Sequence, residues 1–174
     1  MKVLVVSDSH GLTKELEEIQ TRHIHEVDAM FHCGDSELAS AAAELDNFTV
    51  VRGNCDFDQG FPTEQLKQVK GIRYYITHGH LYNVKMSLMP LSYRALEIGA
   101  DVVCFGHSHI SGAEVIDGVL FLNPGSIRLP RIRKEKTYAL LEIVANDEGK
   151  EAIVKFYTVD GFELPSMMVK CKIG

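Results

Sequence analysis

Seven side chains in this sequence share a chemistry and a position: Asp8, His10, Asp35, Asn54, His78, His107 and His109. Each can offer an oxygen or an imidazole nitrogen to a divalent cation. Each also follows an apolar run, or a glycine at the end of one. The first stretch sets the pattern. Lys2-Val3-Leu4-Val5-Val6-Ser7 reads as a buried parallel strand, β-branched and continuous, stopped by Asp8-Ser9-His10 and Gly11. The C-terminal edge of such strands is where open α/β sheets assemble their sites. Taken singly, each residue has an ordinary explanation: Asp8, Ser9 or Asp35 caps a helix, Asn54 holds a turn, a histidine is structural. Recurrence at one strand end after another argues against coincidence. A carboxylate bridging two ions, with imidazoles and an amide oxygen completing the shells, suits manganese, iron, nickel or zinc. Magnesium would use fewer histidines.

The elements that must position these residues follow from the hydrophobic pattern. Leu12, Leu16 and Ile19 recur at helical spacing among Lys14, Glu15, Glu17 and Glu18. His23 and His25, at the end of that helix, read as solvated C-terminal residues. Asp28 to Cys33 is a second strand ending in Gly34-Asp35, after which Ser36 is expected to cap a second helix through Ala39, Ala41–Ala43 and Leu45. Phe48 to Val51 is a third strand, ending in Gly53-Asn54-Cys55-Asp56. This is a βαβαβ start. Asp56 to Thr63 reads as a loop over the site. Glu64–Val69 and Ile72–Thr77 are strand-like, the second ending in His78-Gly79-His80. A further helix carries Leu88, Leu91, Ala95 and Ile98, with Pro90 in its first turn. Asp101 to Phe105 is a buried strand that ends in Gly106-His107-Ser108-His109. Asp117-Gly118 then marks a type I′ hairpin, Asn123-Pro124-Gly125-Ser126 a turn, and Tyr138–Val144 with Ala152–Val159 a second hairpin joined at Asn146–Gly149.

Composition bounds the function. At 174 residues, with no internal repeat and no linker, a single domain spanning 1–174 is expected. No apolar run approaches a membrane span, and the N-terminus runs straight into a strand instead of a secretory signal. A cytoplasmic location is the expectation. Eighteen basic against 24 acidic residues give a net charge of −6, which disfavours long nucleic acids and other polyanions. Cys33 and Cys104 lie in apolar runs as packing residues, and none of the four cysteines forms a CxxC pair. The oligomeric state stays open.

In order, DxH, GD, GNCD, a lone His and GHxH resemble the motif set of the calcineurin-like metallophosphoesterases. The short chain, GNCD in place of GNHD, THGH, and NPGS after the GHxH hairpin resemble that family's small bacterial and archaeal phosphodiesterase branch. The resemblance implies a four-layer α-β-β-α sandwich, two mixed sheets flanked by helices. It implies that Asp8, His10 and His109 hold one divalent metal ion and that Asn54, His78 and His107 hold a second, with Asp35 bridging. Manganese is the first choice for both. Two such ions would generate a hydroxide near neutral pH and neutralise the charge of a small phosphodiester during in-line attack, with no covalent intermediate. His32 and His80 match no ligand slot, and Arg52 and Arg128 are within possible reach of a phosphate. No Arg/Lys cluster is evident beside the ligands, so a singly charged diester is expected over a monoester. Cys55 stands where the family more often has a histidine that protonates the leaving oxygen, a role for which a thiol is a poor substitute. Cys55 either takes part in that step or merely packs at the strand end. The alternative to an enzyme is a scaffold, as in the retromer subunit of this fold.

Overall fold

The computed structural model describes residues 1–146 and 149–174. Strands β1 (Lys2–Val6), β2 (Ala29–His32) and β3 (Phe48–Val50) are parallel neighbours, with helix α1 (Lys14–His23) in the first crossover. Strands β9 (Thr137–Asn146), β10 (Gly149–Thr158) and β11 (Val169–Ile173) extend the sheet antiparallel on the other side of β1, giving the order β11-β10-β9-β1-β2-β3. The second sheet contains β4 (Glu64–Val69), β5 (Ile72–Thr77), β6 (Val102–Cys104), β7 (Gly112–Ile116) and β8 (Val119–Asn123), in the order β4-β5-β6-β8-β7. Helix α2 (Met89–Ile98) connects β5 to its parallel neighbour β6. Asp117 and Gly118 both have positive φ, as the type I′ turn between β7 and β8 requires. The turn expected at Asn146–Gly149 includes residues 147 and 148, which lie outside the described residues.

Alternation along the strands builds four layers. Val3 and Val5 face the second sheet, in one core with Phe31, Tyr74, Ile76 and Leu120. Leu4 and Val6 face outward onto Leu16 and Ile19 of α1. Both faces of β1 are thus buried, which is why its sequence reads as an unbroken apolar run. On the far side, Leu91 and Ala95 of α2 cover Tyr75, Val103 and Phe121. Thr13 makes no side-chain cap on α1. Burial of Leu16 and Ile19, about 1.5–3 kcal/mol each, holds that helix in place. Among the described residues, no helix is long and apolar enough to cross a membrane.

Two expectations change, and one strand is added. The second helix is absent: between β2 and β3 only a 3₁₀ turn at Ala43–Leu45 forms. The N–H groups that would start the helix are diverted, Glu37 N–H to Asp56 Oδ1 (2.7 Å) and Ser40 N–H to Asp58 Oδ2 (2.6 Å), and Glu37 takes a left-handed φ of 56°. His23 is buried instead of solvated, with Nε2 2.7 Å from the Tyr138 hydroxyl and Nδ1 paired with Glu26. Finally, β11 is an edge strand of alternating lysine and apolar residues at the C-terminal end, and it had no counterpart in the pattern reading.

His32, at the end of β2, is fully buried. Its Nδ1 accepts from Gly34 N–H (3.2 Å), so Nε2 carries the proton and points it at Ser9 Oγ (2.9 Å). Burial, only partly opposed by the charges of Asp56 and Asp8, pushes its pKa from 6.5 down to about 4. A group neutral in the fold and protonated in the unfolded chain stabilises above its unfolded pKa. That stability is lost as pH falls from 6.5 to about 4, on the order of 3 kcal/mol in all. Thermal melts of chelator-treated protein should therefore show a steeper decline across that window than melts of His32→Gln. Parallel curves would mean that His32 is not the titrating group.

Candidate metal centre

The seven candidate residues all lie just beyond strand ends. Asp8 and His10 follow β1, Asp35 follows β2, Asn54 follows β3, His78 follows β5, and His107 with His109 follow β6. Backbone geometry, not rotamer choice alone, turns them toward one another. Asp8, His10, Asp35, His107 and His109 have φ between 44° and 64°, in the left-handed region that non-glycine residues seldom enter. Such strain gathers at functional sites and must be held by the surrounding structure.

The side chains meet in three overlapping groups. Ligand atoms of Asp8, His10 and His109 lie within 4.8 Å of one another, as do those of Asp8, Asp35 and His78. Asp35 also forms such a group with His10 and Cys55, so it sits between the two sides. Asn54 joins through Oδ1, 3.2 Å from His78 Nε2. His107 stands further out. Its ring centroid is 5.1 Å from that of His78, and its own N–H donates to Asp8 Oδ2 (3.2 Å). His80, which no ligand role was expected to claim, packs against the His78 and His107 rings.

Hydrogen bonds assign the tautomers. His78 Nδ1–H donates to Cys33 O (2.8 Å) and His109 Nδ1–H to Leu129 O (2.6 Å), while His10 Nδ1 faces Glu37 Oε1 at 2.7 Å. In each case Nε2 is left as the inward ligand atom. Those nitrogens then face acceptors. His109 Nε2 is 3.0 Å from Asp8 Oδ1, His78 Nε2 is 3.3 Å from Asp35 Oδ2, and His10 Nε2 is 3.4 Å from His109 Nε2. Asp8 Oδ1 is buried and accepts no hydrogen bond. Lone pairs facing lone pairs at these distances repel unless a positive charge lies among them. The donor set therefore fits a divalent cation, and the Asp/His cluster is able to hold one.

Without a cation, protons take its place. The Asp8 carboxylate, able to accept from the protonated ring beside it, raises the His109 pKa. Burial works against the imidazolium of His78, yet Asp35 and Asp8 raise its pKa overall. Burial would likewise raise the Asp35 carboxyl, but His78 and the Cys55 N–H hold it well below the usual carboxylate range. His107, desolvated and beside His78 and Lys85, is pushed down to about 4.

Several residues that position the site were not singled out in the sequence. Asp56 Oδ2 accepts from Asp35 N–H (2.9 Å) and Gly53 N–H (2.7 Å), while Oδ1 accepts from Ser36 Oγ (3.0 Å) and Glu37 N–H (2.7 Å). One carboxylate thereby ties the loop after β2 to the loop after β3. Ser7 Oγ donates to Asp8 Oδ2 (2.6 Å), and Ser126 Oγ donates to the Asp8 carbonyl (2.7 Å). The signals were the last residue of Gly-Asn-Cys-Asp and the last of Asn-Pro-Gly-Ser. Gly53 and Gly106 are required for close approach: a Cβ at either would collide with the Asp35 or Ser7 side chain.

Cys55 is exposed and does not pack at the strand end. Its N–H donates to Asp35 Oδ1 (2.7 Å), and Asn54 Nδ2 donates to its sulfur (3.2 Å). Partial burial, then the Asp35 carboxylate, pushes the thiol up to about 11. Of the two arginines expected near a phosphate, Arg128 donates from its guanidinium to the His10 carbonyl, while the backbone N–H of Arg131 donates to the His109 carbonyl (3.0 Å). The Arg131 contact was hidden because its loop, between β8 and β9, is far along the chain from the residues it touches.

Residues 1–146 match the family model of the calcineurin-like phosphoesterase superfamily domain. The chain is 50% identical over 167 residues to a protein of Bacillus subtilis named probable metallophosphoesterase YsnB, covering 96% of each. It is 28% identical over 145 residues to the phosphodiesterase MJ0936 of Methanocaldococcus jannaschii, covering 72% of this chain and 83% of that one. A crystal structure of a predicted phosphoesterase from Streptococcus pneumoniae superposes with a TM-score of 0.93 at 35% identity, over 98% of this chain and 97% of that one. With its two mixed sheets, its flanking helices and its strand-end Asp/His cluster, the chain belongs to the calcineurin-like phosphoesterase superfamily.

Proposed function

We propose that this chain is, over its whole length, one domain acting as a metal-dependent phosphodiesterase on small phosphodiesters. One observation carries the reading: buried carboxylate oxygens and inward imidazole nitrogens crowd together, and Asp8 Oδ1 among them has no hydrogen-bond partner. In this reading Asp8, His10 and His109 hold one divalent ion, Asn54, His78 and His107 hold a second, and Asp35 lies between them. Manganese is the first choice. When bound, the two ions supply Lewis acidity toward phosphoryl oxygens and lower the pKa of water.

The rest is done by the chain's own groups. Cys33 and Leu129 carbonyls fix the rings of His78 and His109, and Glu37 fixes His10, so the ligand set needs little rearrangement on binding. Asp56 keeps the Asp35 and Asn54 loops in register. The Cys55 thiol, with its raised pKa, is a weak proton donor to a leaving oxygen. The relative named a phosphodiesterase supports the diester class. A scaffold role would demand none of this ligand chemistry, and the chain keeps every candidate ligand.

Hydrolysis should stop on chelation and return with manganese or nickel. Manganese at ~100 times its Kd should stabilise the stripped protein by about 2.7 kcal/mol, seen as a higher melting temperature. As the shared ligand, Asp35→Asn should lose more bound metal by elemental analysis than His10→Ala or Asn54→Ala. Full hydrolysis by metal-free protein would overturn the mechanism.

Between matched aryl esters, kcat/KM should be higher for the diester than for the monoester, and the reverse order would refute the substrate class. Leaving groups that depart readily as anions need no acid, so wild type should cleave aryl esters far faster than alkyl esters. A positioned general acid is worth ~10²–10⁴-fold. Cys55→His should therefore raise kcat on the alkyl ester by at least about tenfold, and on the aryl ester much less. A fully metallated Cys55→His without that selective gain would show that position 55 is not where the acid is missing.

A further inference from the structure

Beside the candidate metal centre, on the side of His107 and His109, a cleft of about 710 Å³ opens between β7 and the segment leading into α2. Its apolar wall is made by Val84, Leu88, Phe105 and Phe121, all members of the cluster between α2 and the second sheet. Its rim carries Lys85, Arg131 and Glu114, all exposed, which leaves a net single positive charge at the mouth. Small-molecule sites have this character, typically ~300–1,000 Å³ with apolar walls and a few placed polar groups.

Two features relate the cleft to the ligands. His107 and His109 line it; His109 also groups with Asp8 and His10, and the His107 ring packs on that of His78, so the cleft adjoins the cluster. At the start of β7, a Cβ built on Gly112 would meet no atom within 4 Å, so the cleft is open space up to the backbone there. The apolar wall is a poor place for a charged phosphoryl group, which would lose its hydration without gaining partners. The cationic rim and the histidines suit that group, and the wall suits what is attached to it.

We propose that this cleft receives one of the two ester groups of the substrate, a bulky apolar group of aryl size, while the phosphoryl group stays at the histidine edge. The proposal rests on the phosphodiesterase reading and specifies its substrate class: diesters with at least one large apolar ester group, in preference to dialkyl esters of small alcohols. Chemical lability of an aryl leaving group would give a similar rate preference, so the test reads binding and not turnover.

Dimethylphosphinate and methyl(1-naphthyl)phosphinate each carry one negative charge and two P–C bonds, so neither can be hydrolysed. Their affinities for the manganese-loaded full chain are compared by calorimetry. The naphthyl compound should bind at least about tenfold tighter, a gain that burying one or two methylenes can already supply. Gly112→Leu fills the open space, and the ratio of the two affinities should fall toward one. If that variant proves unstable in a thermal melt, Gly112→Val is used, which fills the same open space with a β-branched side chain suited to a strand. Equal affinities in wild type, or a ratio unchanged by the filling variant, would overturn the cleft proposal and leave the metal-centre reading standing. Failure of both phosphinates to bind would overturn the phosphodiesterase reading, and the cleft proposal with it.

Discussion

Two carboxylates, Asp8 and Asp35, are buried within one small cluster, and most of the architecture around them makes that arrangement tolerable. Unpaired charges in a protein interior are costly, and removing one partner of a buried pair typically destabilises by ~3–5 kcal/mol. Here the compensation is distributed. Ser7 and the His107 N–H serve one oxygen of Asp8, and the Cys55 N–H serves one oxygen of Asp35. The remaining oxygens are left facing imidazole nitrogens whose protons are committed elsewhere. That residual deficit is what gives the cluster its appetite for cations.

The loops satisfy this constraint together. The segment after β2 gives up a helix so that its N–H groups can reach Asp56 and Asp58. The loop between β8 and β9 closes over the other side, where Ser126 accepts N–H bonds from Arg128 and Leu129 while donating to Asp8. Asn123 holds the Gly106 carbonyl and Ser108 hydroxyl from beneath. Two sheets contribute candidate ligands from opposite sides of one core, so the site depends on the packing between them. Gly53 and Gly106 mark where backbone and side chain approach most closely.

Much of this was legible because buried strands in an α/β sheet announce themselves as apolar runs, and their ends are where chemistry collects. Val3–Val6 followed by Asp8 and His10, or Val102–Cys104 followed by His107 and His109, needs only periodicity to be read. What stayed hidden depended on contacts between distant segments. Helical propensity around Ala41–Ala43 lost to the hydrogen bonds drawn from Glu37 and Ser40, which no local window contains. His23 looks like a surface histidine until Tyr138, more than a hundred residues later, arrives beside it. Asp56 and Arg131 act through partners in other loops, and the cleft exists only where α2's approach meets the edge strand β7.

The left-handed backbone at Asp8, His10, Asp35, His107 and His109 bears on how the fold can change over evolutionary time. Each of these conformations costs about 1 kcal/mol or more relative to an ordinary backbone. Asparagine and glycine adopt them more readily than most residues, and neither carries a charge. Replacing a ligand by one of them would relieve strain and repulsion at once, while leaving the two-sheet core untouched. Stability alone therefore favours erosion of this edge, and the costly residues persist only under demand for their chemistry. Descendants freed from that demand would keep a sound fold, with a worn rim available for other uses.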